Sequence, residues 1–160
     1  MTTYPTSTAP AAKAWLFGQM QDTLTADADW TFSCTYATEI DTETSPDDQV
    51  WMGDITSRQV TPLAMVGNLG AGSLQESYDL VVNISCARMT DQPEAAETRA
   101  FDLCGQVETI VRTDPTMGGN LYLSRPNQSN CTVDWDEPDG DSANGRLATL
   151  TLTFSCFAQI

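Results

Sequence analysis

The strongest pattern in the chain is the alternation in SLQESYDLVVNISCARM, residues 73–89. Tyr78, Leu80, Val82, Ile84 and Cys86 fall on one side, and Asp79, Asn83 and Ser85 on the other. A period of two over this length predicts a strand, placed in the middle of a sheet. The closing GRLATLTLTFSCFA repeats the pattern, with Ala148, Leu150, Leu152, Phe154 and Cys156 on one face. Shorter alternations predict strands over WTFSCTY, where the apolar face is Trp30, Phe32, Cys34 and Tyr36, and over QVWMGDI, where Val50 and Met52 oppose Trp51. Others fall at residues 58–61, in NLYLS and in CTVDW. Two segments carry the helical period instead. Thr8 is placed to cap a helix reaching about Leu24, with Pro10 tolerated in its first turn. Ala11, Ala14, Trp15, Gly18 and Leu24 form one stripe and Leu16 and Met20 a second, with Gly18 marking a close contact with the sheet. In the second helix, capped by Asp91, the apolar positions Ala96, Ala100, Leu103, Val107, Ile110 and Val111 recur at intervals of three and four, and Arg112 stands in the last turn.

Between that helix and the next strand lies Thr-Asp-Pro-Thr-Met-Gly-Gly. Asp114 precedes a proline and is pushed out of the helical region, while Gly118 and Gly119 permit a turn with positive φ, so the segment is a corner. The order of elements gives an α+β fold: a largely antiparallel or mixed sheet with two amphipathic helices on one face. A Thr- and Pro-rich tail over residues 1–10 precedes a single domain over residues 11–160. Residues 62–73, rich in Gly and apolar side chains, form a long loop suited to a partner contact.

Charge changes this picture most. Seven Lys and Arg stand against 22 Asp and Glu, a formal charge of −15. The cations, Lys13, Arg58, Arg88, Arg99, Arg112, Arg125 and Arg146, are scattered, so tight nucleic-acid binding is disfavoured. The chain has no His, which removes the commonest general base and metal ligand together. Its five cysteines, Cys34, Cys86, Cys104, Cys131 and Cys156, include no C-x-x-C pair and read as small core residues in a reducing compartment. No run of about 18 apolar residues predicts a membrane span, and the first residues lack the basic and apolar regions of a secretory signal.

The one acidic constellation is DWDEPDGDSANG, with Asp134, Asp136, Glu137, Asp139 and Asp141. Its spacing departs from a calcium loop, because Gly145 falls where a bidentate Glu is required. It reads as a solvated hairpin loop. No phosphate loop, nucleophile elbow or His-partnered nucleophile is present, which points away from an enzyme and from any cofactor or metal.

The segments KAWLFGQMQDTL, DDQVWMGDI, QESYDLVVNISC, AAETRAFDLCGQVETIVRTDPTMGG and GRLATLTLTFSC, in that order, resemble the tail terminator proteins of long-tailed, non-contractile bacteriophages of Actinobacteria. The resemblance covers roughly residues 11–158 and rests on a pattern of segments that neck and tail-completion proteins share. It implies a subunit of a homo-hexameric ring at the neck-proximal end of the virion tail, assembled in the host cytoplasm. The ring would contact the major tail tube protein and the head-tail connector, with no membrane partner. Genomic DNA would pass its lumen without tight binding, and an acidic lining would keep the duplex from adhering. Contact is expected from the loops at 41–48, 62–73, 114–119 and 134–145, with Asp47, Asp48, Leu63, Met65, Asp114, Thr116 and Met117 as contact candidates and the acidic loop as candidate lumen. A rival of another class is a calcium- or carbohydrate-binding module using that loop with Trp51 and Trp135.

Overall fold

In the computed structural model, residues 6–37, 46–62, 74–88, 93–136 and 145–160 are described. Helix α1 spans Ala9–Thr23, strand β1 Phe32–Thr35, β2 Asp48–Pro62, β3 Leu74–Arg88, helix α2 Pro93–Thr113, β4 Leu123–Asp136 and β5 Gly145–Gln159. The five strands form one sheet in the order β1-β2-β3-β5-β4, parallel between β1 and β2 and antiparallel elsewhere. This is the expected α+β architecture, a mixed sheet with both helices on one face.

The alternation seen in the sequence is the alternation of burial. Along β3 every even residue from Glu76 to Arg88 is buried and every odd one from Ser77 to Ala87 is half-buried; β5 repeats this from Ala148 to Ala158. The two strands pair without a bulge from Gln75↔Gln159 to Arg88↔Arg146, so one residue's slip would turn the whole apolar set away from the helices. Helix α2 lies over this central pair, burying Ala96, Ala100, Leu103, Cys104, Val107, Ile110 and Val111. Each of its large aliphatic side chains removed from water contributes roughly 1.5–3 kcal/mol.

Helix α1 corrects two expectations. It buries Ala9, Ala12, Leu16 and Met20, so the stripe of Leu16 and Met20 is the core face, while Ala11 and Ala14 are exposed. A Cβ on Gly18 would meet nothing within 4 Å, so this glycine answers no close contact. The Thr8 side chain does not cap its own helix. Its N–H and hydroxyl both donate to Glu76 Oε2 at 2.9 Å, and the Ser7 hydroxyl donates to Oε1 at 2.5 Å. A buried carboxylate on β3 therefore anchors the start of α1.

The strand count also differs. Residues 49–55 and 58–61, expected as separate strands, belong to the single β2; bulges between Met52 and Ile55 and between Thr56 and Gln59 break the alternation that would have joined them. Ser57 there has φ +55. Of NLYLS only Leu123 and Ser124 are in a strand, and they belong with CTVDW to β4, joined through a bulge between Pro126 and Gln128 on the open edge, where a proline is tolerated. Asp91 lies outside the described residues.

Candidate interaction surface

The corner after α2 is closed by its own side chains. Asp114 Oδ1 accepts the Thr116 N–H at 3.1 Å and its hydroxyl at 2.6 Å, and Oδ2 accepts the Gly118 N–H at 2.9 Å. These bonds, the Thr116 hydroxyl first, hold the Asp114 carboxyl below the usual range. Met117, Gly118 and Gly119 take φ of 47°, 72° and 81°. The reversal delivers Met117 into the core and brings Gly118 so close to Trp15 that a Cβ would stand 2.6 Å from its Cδ1. Pro115 O then accepts both the N–H and hydroxyl of Ser124, tying the corner to β4. Thr116 is half-buried, and Met117 is enclosed, so it presents no surface on this chain.

Of the other candidates, Asp47 Oδ2 accepts the N–H and hydroxyl of Thr31 at 2.9 and 2.8 Å and fixes the entry to β1. Asp48 is fully buried and so, like Met117, stands away from the contacting surface. Arg88 donates to both its oxygens at 2.6 and 3.3 Å, and Arg99 Nε donates to Oδ2 at 2.8 Å. Burial, the largest influence, would raise the Asp48 pKa, but the hydrogen bonds and charge of the two guanidinium groups outweigh it and hold the carboxyl low. Arg88 is stacked over Trp30 at 4.4 Å, while Arg99 also reaches Asp102 and the carbonyl of Thr25. The network joins β2, β3 and α2 at one end of the sheet, and the sequence offered no spacing that pairs Asp48 with Arg88 and Arg99.

Leu63 and Met65 lie outside the described residues, as do Glu137, Asp139 and Asp141; Asp134 and Asp136 close the β4 backbone. Among the described residues no group of His, Cys, Asp or Glu is gathered for a metal ion, and no helix is long and apolar enough to cross a membrane.

Among the described residues, two hollows open to solvent. One, of about 260 Å³, lies among Gln75, Tyr122, Phe157, Ala158 and Gln159. Tyr122 beside it is 81% exposed, the most exposed large apolar side chain described, and Leu123 follows it outward. The other, of about 610 Å³, is lined by Asp27, Trp30, Arg88, Glu94, Thr98, Arg99 and Asp102. Its two arginines are already held by Asp48, so its free character is acidic. The distal part of β2 is a third surface: Thr56 to Pro62 are all exposed, and among the described residues only β3 pairs with them.

No protein-family model matches the chain, and no curated protein matches it.

Proposed function

We propose that this chain is a structural virion protein that caps the end of a phage tail tube as a hexameric ring, stops the tube growing and joins it to the neck. The observation that carries the reading is the exposed outer stretch of β2, Thr56 to Pro62, continuing from a helix-covered sheet. Such an arm, supported along one side only, suits contact with a neighbouring subunit or with the tube. The segments that carry the resemblance to tail terminators also supply both helices and most of the sheet.

In this reading each subunit meets the next through a heterologous contact that closes on rotation, so the assembly ends as a ring. The acidic chain lets DNA pass without retention, because it offers few cations to displace the counterions condensed on the phosphates. Cations are occupied within the chain: Lys13 on the Gly53 carbonyl, Arg58 on Glu76, Arg88 and Arg99 on Asp48, and Arg112 on Glu108.

The test is the solution mass of the purified chain by light scattering, alone and after mixing with its cognate tail tube protein. A six-fold mass, or a ring formed only on the tube, is expected. A monomer that ignores the tube overturns the reading.

A further inference from the structure

Among the described residues, nothing covers the face of the sheet turned away from the helices. Its five central rows run from Ser77–Phe157–Leu123 to Ser85–Thr149–Thr132, and the row Thr35–Trp51–Asn83–Thr151–Asn130 crosses all five strands. These rows hold hydroxyl, amide and apolar side chains with one carboxylate, Asp79, and one cation, Arg125. Both charges are engaged: Asp79 accepts the Ser155 hydroxyl at 2.9 Å, and Arg125 lies over the Phe157 ring. In a chain of net charge −15 this is a nearly neutral surface.

We infer that a second copy of this chain seats against that open face. Charge selects the occupant. A basic partner would be drawn to the carboxylates elsewhere, such as the exposed Asp22, Asp27, Glu94 and Glu97, and a nucleic acid would need more cations than the one, Arg125, that these rows hold. Two copies, each strongly negative, repel wherever their acidic surfaces meet. At this face the helix layer, about 10 Å thick, sets its outer charges beyond the Debye length of about 8 Å at physiological salt. The area is also sufficient. The ladder of 14 pairs between β3 and β5, at ~3.4 Å per residue, is about 45 Å long, and four strands spaced ~4.8 Å apart make it about 19 Å wide. That gives about 850 Å², close to the roughly 800 Å² each partner brings to a standard interface.

The inference stands without the terminator reading, and the experiment separates them. Sedimentation equilibrium is run on the full chain and on three variants: Thr151→Lys at the centre of the face, Gln128→Glu on its exposed β4 strand, and Thr109→Glu on the outer side of α2. Circular dichroism shows which variants fold. Self-association is expected in the parent and in Thr109→Glu, weakened about tenfold or more in Kd, or about 1.4 kcal/mol, in the folded face variants. Association left unchanged by a folded face variant overturns the inference, and a six-fold mass in that case leaves the ring standing. A parent that stays monomeric at every concentration overturns it too, and the tube-mixing result then decides the ring by itself. Hydrogen exchange slowed along β4 and β5 only when the tube protein is added assigns the face to that protein and overturns the second copy.

Discussion

Replacing Asp48 by alanine tests the largest buried electrostatic commitment in the fold. The substitution removes three charge-assisted hydrogen bonds, at 2.6, 3.3 and 2.8 Å, and leaves Arg88, 4% exposed, without its carboxylate. Breaking a buried pair from one side costs about 3–5 kcal/mol, because the remaining charge keeps its desolvation penalty and loses its partner. For a domain of this size the loss corresponds to a fall in Tm of about 6–20 °C. Arg99→Ala is milder, about 1–2 kcal/mol, because Asp48 keeps both bonds from Arg88 and the lost side chain lay nearer the surface. The double variant Asp48→Leu with Arg88→Met removes both charges and costs less than Asp48→Ala alone. Urea unfolding followed by tryptophan fluorescence measures all three, with Trp30 against Arg88 as a local reporter. An Asp48→Ala loss under about 1 kcal/mol, or a double variant costing as much as Asp48→Ala or more, would refute the reasoning.

Gly118→Ala should cost more than Gly119→Ala: both take positive φ, at about 1–2 kcal/mol each, but only Gly118 also drives a Cβ into Trp15. Equal thermal shifts in the two variants would remove the Trp15 contact from the account. Asp48 and Glu76 both have pKa values held below the ordinary carboxylate range, although burial, the largest influence on each, acts upward. The unfolded chain therefore binds more protons than the folded one as pH falls, so their stabilisation is complete only above about pH 5 and is lost as pH drops through the folded values. Acid titration of Tm should show this loss, and Glu76→Gln should flatten it while speeding proteolysis near Ser7 and Thr8; a Glu76→Gln profile matching the parent would contradict the anchor. Burial pushes the Cys86 and Cys156 thiols up to about 12 and Cys104 up to about 11. An aromatic disulfide reagent should therefore leave these three unmodified until urea is added, and fast reaction of all five in the native state would show a looser core.

The central strands and α2 were legible because each follows one period without interruption. In β3 and β5 the alternation runs through the buried stretch, and in α2 the six positions the spacing predicts, from Ala96 to Val111, are buried, with Cys104 added beside them. The outer strands were harder for a physical reason. A bulge shifts the alternation by one residue, so β2 and β4 each looked like two strands. Helix α1 misled because alanine and glycine are small enough to stand on either side, and only packing against the sheet decided for Leu16 and Met20. The corner was read correctly as a turn from Asp114, Pro115 and the two glycines, but that Met117 points into the core depends on its positive φ, which no spacing announces. Asp48 was grouped with loop residues because its neighbours are acidic and polar, whereas its partners lie 40 and 51 residues away.

The most direct test of the terminator account is electron microscopy of tail tubes polymerised from purified tube protein with and without this chain, carrying a gold-labelled tag. The account predicts shorter tubes, each with label at one end only. Tubes of unchanged length, or label scattered along their walls, would contradict it.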